Sequence, residues 1–160
     1  MPRVVFSLTV ALFSLLAACG LSERERAVSQ VNEGILAADT TGRVVADLIA
    51  QIPAEEAVGA DDIASLRDAL SQYMGAMEVL NAAMRTLGTR VEPLREHLET
   101  AFRPAAEAAA SSCQQALDTL SSPAPSPDEY QRALTRIGQC IDRYAAAISN
   151  VTAAHERAAR

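Results

Sequence analysis

The sequence predicts an all-α fold, an antiparallel four-helix up-down bundle. Two observations carry that expectation. Apolar residues recur in alternating steps of three and four, the 3.5-residue period of a helical seam. Breaks bearing proline and glycine then divide the chain beyond its first 20 residues into four segments of near-equal length. Alanine is abundant throughout, which favours helix over the alternatives.

The first helix is expected to start near Ser22, because Glu25 three residues on completes a capping-box pattern. Its seam runs Val28, Val31, Ile35, Ala38, Gly42, Val45, Ile49 and Ile52, with Asp39-Thr40-Thr41-Gly42 a weak spot inside it. Pro53 should end it, and residues 54–60 read as an acidic loop. The second helix opens with Asp61 and Asp62 against the positive end of the helix dipole. Its seam is Ile63, Leu66, Leu70, Tyr73, Met77, Leu80, Met84 and Leu87, and Gly88 is placed to end it as a left-handed cap.

The next junction admits two readings. Pro93 fits the first turn of a new helix, yet the seam runs on in phase through Val91, Leu94 and Leu98. Residues 61–121 are therefore either two helices or one long, kinked helix in a three-helix chain. The break at 88–92 is favoured. A 60-residue helix would span about 90 Å and leave its flanks uncovered. The third helix then runs from about Pro93 to Leu120, with Leu94, Leu98, Phe102, Ala109, Cys113, Leu117 and Leu120 inward and a kink at Pro104. The alanine run 105–110 leaves it a thin side. Residues 121–127, SSPAPSP, read as a loop. Ser126, Pro127 and Glu129 then supply a cap, a first-turn proline and a capping-box partner for the fourth helix. Its seam is Tyr130, Leu134, Ile137, Ile141, Tyr144, Ile148 and Val151, with His155 next in phase.

Ahead of the bundle lies a leader. Arg3 gives a positive start, Val4 to Leu16 is an apolar run, and Ala17 and Ala18 are small residues before Cys19. The layout is that of a secretory signal peptide, too short to span a bilayer as a helix. Leu16-Ala17-Ala18-Cys19 resembles the lipobox of bacterial lipoproteins. That resemblance implies cleavage between Ala18 and Cys19, a diacylglyceryl thioether on Cys19, and palmitate-like acylation of the new amine. Residues 1–18 are then a signal peptide and residues 19–160 a single helical-bundle domain. Gly20, where an Asp would favour retention in the inner membrane, implies an outer-membrane location facing the periplasm.

Composition removes several function classes. Arg3 leaves with the leader, so 13 of the 14 basic residues face 20 acidic ones, a net of −7. No basic stripe is present, and nucleic acid is not an expected partner. Every basic residue is arginine. The terminal lysine by which the murein lipoprotein is tied to the cell wall is absent, and that closer resemblance fails. No catalytic serine, cysteine or phosphate-loop motif stands out, and an enzyme is not expected. Most carboxylates sit three or four residues from an arginine, as in Glu99 with Arg103, Asp128 and Glu129 with Arg132, and Glu156 with Arg160. Solvated helix faces account for them.

With Cys19 acylated, Cys113 and Cys140 remain. An exported chain meets an oxidising compartment, so the even pair is expected to bridge the third and fourth helices. The other reading is two buried thiols. Unequal arms would separate the two by about 9 Å in height unless the loop climbs.

The histidines do not compose a metal site, and no metal or cofactor is expected. Leu94 and Thr152 occupy the positions where di-iron bundles carry glutamate. Ala159 stands where a zinc-protease helix begun by His155-Glu156 would need its second histidine. At 100° per residue His97 lies about 160° from Cys113 and should be solvated. Met77, Met84 and His155 on facing seams resemble the Met/His haem ligation of b-type cytochrome bundles. That family draws its methionine from the first helix, which here has none.

The expected function is therefore that of a lipid-anchored, non-enzymatic binding, adaptor or accessory protein of the bacterial cell envelope. Its partners are the membrane, through Cys19, and an envelope protein. The alternative is a periplasmic bundle holding a small ligand, haem or metal. Homo-oligomerisation through the 3.5-spaced seams stays open. The topology also predicts an acidic far end (Glu55, Glu56, Asp61, Asp62, Asp118, Asp128, Glu129) and a more basic membrane end (Arg24, Arg26, Arg90, Arg157, Arg160).

Overall fold

The computed structural model describes residues 22–52, 59–122 and 125–158, the side chains of residues 93, 155 and 158 excepted. The leader, Cys19, Glu55 and Glu56 of the expected acidic loop, and Arg160 lie outside the described residues. Every element described is helical: α1 (Glu23–Gln51), α2 (Ala60–Arg90), α3 (Glu92–His97), a π turn (Leu98–Phe102), α4 (Arg103–Leu120) and α5 (Pro127–Ala158). α3, the π turn and α4 follow one another without a gap and form the third arm of a four-helix bundle.

The arms pack in the order α1, α2, α3/α4, α5 around a common core. Glu23 pairs with Arg90 at 2.6 Å, Gly34 faces Leu80, and Gly42 faces Tyr73. Numbers rise on α1 as they fall on α2, which is antiparallel packing. Cys113 against Cys140 and Ser112 against Arg143 repeat the relation between α4 and α5. Tyr144 touches both Met77 of α2 and Phe102 of the third arm, which a continuous helix would hold about 37 Å apart, so the long kinked helix is excluded. The break falls at Val91, whose extended backbone (φ −129°, ψ 88°) ends α2 and precedes α3.

α1 ends as its sequence dictates. Ile52, held extended (φ −78°, ψ 120°) as a residue before proline prefers, caps it. The expected weak spot is instead a packing point. Asp39 and Arg43 form an ion pair at 2.8 Å, and the Thr41 hydroxyl donates to the Ala37 carbonyl. Gly42 is buried, and a Cβ there would stand 3.1 Å from the Tyr73 ring. A Cβ at Gly34 would stand 3.1 Å from the Leu80 Cα, a backbone atom that has no rotamer to escape into. Ala27, Gly34, Ala38 and Gly42 thus let α1 approach α2 closely, and the seam is displaced toward these small residues from the larger Val28 and Ile35. Gly34→Val should lower stability by about 1–3 kcal/mol through overpacking, read as a shifted urea midpoint.

Gly88 does not cap α2. The helix runs two residues further, to Arg90. Gly88 is needed for proximity: a Cβ would meet the Leu98 Cδ1 at 3.2 Å. The Arg95 Nε donates to the Gly88 carbonyl at 3.4 Å, tying α3 to the end of α2.

Pro104 acts through the π turn. It has no N–H to give to the Thr100 carbonyl, and its ring would crowd that carbonyl in a regular helix. The chain inserts one residue instead, and the Arg103 N–H donates to Leu98 O, five residues back. Leu94, Leu98, Phe102 and Ala106, spaced by four each time, are all buried as a result.

Candidate functional site

The two capping boxes form as the sequence predicts. The Ser22 N–H donates to Glu25 Oε2 at 2.6 Å and the Glu25 N–H to Ser22 Oγ at 3.2 Å. The Ser126 N–H donates to Glu129 Oε2 at 2.8 Å, and the Glu129 N–H to Ser126 Oγ at 3.4 Å. These bonds favour the ionised carboxylates and hold both Glu25 and Glu129 below the ordinary glutamate range. Glu129 is thus engaged chiefly by its cap, with Arg132 a minor influence.

Cys113 and Cys140 come together. Their sulfurs are 2.06 Å apart and their Cα atoms 5.6 Å, within disulfide geometry. Both are fully buried. The height difference foreseen from the arm lengths is absorbed because α5 starts about 9 Å beyond the end of α4.

His97 departs from expectation. It is half-buried, and its Nε2 is enclosed with no hydrogen-bond partner among the described residues. The reason is phase. One inserted residue at the π turn rotates everything before it by about 100° relative to α4, so the 160° offset from Cys113 falls to about 60°. The same insertion separates Glu99 from Arg103, which pairs forward with Glu107 at 3.8 Å instead. Met77 and Met84 are buried core residues, 1% and 2% exposed. Among the described residues, no three His, Cys, Asp or Glu side chains converge on a metal position.

The centre of the core is aromatic. Tyr144 is 1% exposed; its ring centroid lies 6.4 Å from that of Tyr73, edge to face, and 6.1 Å from that of Phe102. Its hydroxyl reaches across the bundle diagonal, its one proton shared between Met77 O at 3.0 Å and Asn81 Oδ1 at 2.8 Å. Burial pushes both Tyr73 and Tyr144 well above the ordinary tyrosine value of 10.0, with Asp142 adding to the first and Tyr73 to the second. Near the start of α5, burial and the neighbouring Asp62 raise Tyr130. That proximity places the starts of α2 and α5 at one end of the bundle, opposite Glu23 and Arg90. Asp61, Asp62, Asp128 and Glu129 therefore share that end.

Openings interrupt the packing of the described residues, and two are well formed. α1 and α5 touch sparingly, and the cleft between them is small, about 80 Å³, lined by Ile35, Ala38, Ile141 and Ile148 down to the two tyrosines. The larger opening, about 310 Å³, lies between α2 and the π turn. Met84, Leu98, Phe102 and Ala106 give it an apolar floor. Asn81, Arg85 and Thr89 border it from α2, and Arg95, Glu99, Arg103 and Glu107 from the third arm. Sequence reasoning missed this groove. Its signal was the run of four-residue steps leading across Pro104, which a regular helix cannot keep on one face. In comparisons with known proteins, no family model, no curated protein and no solved structure matches the chain.

Proposed function

We propose that this chain is a lipid-anchored, non-enzymatic protein of the bacterial cell envelope, exported on residues 1–18 and cleaved between Ala18 and Cys19. Acylation of Cys19 holds it in the outer membrane with the bundle facing the periplasm, where it serves as a binding, adaptor or accessory subunit. One junction carries this reading. The lipobox-like Leu16-Ala17-Ala18-Cys19 is followed three residues later by the capping box of Ser22 and Glu25, where α1 begins. Fully extended, that gap spans about 10 Å. A bundle so tethered stands close to its membrane, with the Glu23–Arg90 end nearest the lipid. Its acidic end, bearing Asp61, Asp62, Asp128 and Glu129, is turned toward a partner.

Among the described residues no helix is long and apolar enough to cross a membrane, and this reading assigns attachment to the lipid alone. One acyl chain gives only marginal binding and two or more give stable anchoring, since each buried methylene contributes about 0.8 kcal/mol. The Cys19→Ser variant should pass from the membrane to the soluble fraction in high salt, with its helical circular dichroism unchanged. A variant that stays with the membrane at high salt would contradict the proposal. Crosslinking in native membranes then identifies the partner, which the short tether restricts to proteins in or near the same bilayer.

A further inference from the structure

We propose that the groove between α2 and the π turn binds a single-chain anionic amphiphile, a fatty-acyl carboxylate or monoacyl phosphate. The acyl chain lies on Met84, Leu98, Phe102 and Ala106, and the head group is held by Arg85. Three observations lead there.

The first is shape and volume. At about 310 Å³ the groove sits at the low end of small-molecule sites, roughly 300–1,000 Å³. It admits one chain and not the two of a phospholipid. The α1/α5 cleft, at about 80 Å³, admits neither. The groove is a built feature, because the π turn widens the helix beside it and brings Leu98 and Phe102 to its floor. π turns inside helices recur at functional sites.

The second is the polarity of the rim. Asn81 commits its Oδ1 to the Tyr144 hydroxyl, so its remaining polar group is the donor Nδ2. Arg95 is engaged by Glu92 at 2.9 Å and by the Gly88 carbonyl. Arg103 is engaged, at the longer distance of 3.8 Å, by Glu107. Arg85 has no ion pair or hydrogen bond among the described residues, and it lies one turn from Asn81 on the groove side of α2. A planar guanidinium without a partner, beside an amide donor and above an apolar floor, suits a bidentate oxyanion with a hydrocarbon tail. Glu99 and Glu107 also border the groove. Their charge opposes a dianion, so the acyl carboxylate, a monoanion, is favoured over the monoacyl phosphate, which carries about −1.5 to −2 at neutral pH.

The third is contrast with the rest of the surface. The whole chain carries a net charge of −6. Three arginines and two glutamates line the groove, a local balance of 3 − 2 = +1 against that background, and the anionic surface elsewhere would not collect an acyl anion.

Photolabelling of the full-length chain in intact cells tests the assignment. Four probes carry the same diazirine tail: a fatty acid, a monoacyl phosphate, the corresponding neutral alcohol and a two-chain phospholipid. The acid, the phosphate or both should label peptides containing Met84 or Leu98–Phe102, and whichever labels more strongly identifies the head group. Arg85→Glu, a surface change that leaves the core intact, should lower that labelling about tenfold. Arg67→Glu, an exposed arginine on α2 outside the groove, should leave it unchanged. Labelling spread evenly over α1 and α5, labelling by the phospholipid or alcohol equal to that by the anions, or labelling indifferent to Arg85→Glu would each overturn the proposal. The test reads the groove whether or not Cys19 is acylated, so its failure is distinct from failure of the anchoring proposal.

Discussion

Reducing the Cys113–Cys140 pair should lower the free energy of unfolding by about 3–4 kcal/mol, the largest loss expected from a change at one site that leaves the native packing in place. The two residues are 27 apart in sequence and close a loop through the α4–α5 turn. In the unfolded chain that loop is free to expand once the bond is opened, and its closure entropy is the main term. In the native bundle little else changes. Both sulfurs are fully buried among apolar side chains, where a thiol behaves as a small hydrophobe. Urea titrations with and without reductant measure the difference directly. The reduced protein should unfold at a lower midpoint and keep its helical circular dichroism in water. Cys113→Ala with Cys140→Ala should cost somewhat more, since it also removes buried sulfur. Coincident urea curves for the oxidised and reduced protein would contradict the expectation.

Tyr144→Ala should cost about 3–5 kcal/mol, in the range of large aromatic truncations. The side chain stands where three arms meet: Tyr73 of α2, Phe102 of the π turn and the backbone of α2 at Met77 all contact it. Truncation leaves a cavity that none of these can fill without moving a helix. Tyr144→Phe separates packing from hydrogen bonding. It keeps the ring and loses the bonds to Met77 O and Asn81 Oδ1, for about 1 kcal/mol.

The same residue predicts a response to alkali. Tyr73 and Tyr144 are raised by burial above their ordinary value of 10.0. Above pH 10 the unfolded chain releases these protons while the native chain retains them, so unfolding is favoured as pH rises. Stability should hold through neutral pH and fall above about pH 10, with a shallower slope in Tyr144→Phe. A Tyr144→Phe protein with the wild-type slope would contradict the assignment of that loss to Tyr144.

The architecture was largely legible because it follows from local rules that act independently. The 3.5-residue seams of α2 and α5 place Leu66, Leu70, Tyr73, Met77 and Leu80, and Tyr130, Ile137 and Tyr144, in the core where they were expected. Ser22 with Glu25 and Ser126 with Glu129 cap the helices they precede. Cys113 and Cys140 meet across the hairpin.

What was not legible has one main physical origin. A periodicity argument assumes a constant 100° per residue, and Pro104 breaks that constancy by inducing a π turn. The phase of everything from Glu92 to Phe102 then shifts. His97 moves from a solvated to a half-buried position, Arg103 exchanges Glu99 for Glu107, and a groove opens beside Leu98 and Phe102. The second origin is that glycine has two uses. Gly42 reads as a seam position within a weak spot and Gly88 as a helix cap, but in the structure both, with Gly34, are points where another helix comes within van der Waals contact. Only the partner's position distinguishes those roles, and the partner is remote in sequence.

The anchoring proposal makes Cys19 the first residue of the functional protein and the capping box of Ser22 the start of its rigid body. Intact and N-terminal peptide mass spectrometry of the protein purified from membranes tests this most directly. The account predicts that the amino-terminal peptide begins at Cys19 and carries the mass of a diacylglyceryl thioether, with a further acyl chain on the amine. A peptide that begins elsewhere, or an unmodified Cys19, would contradict it.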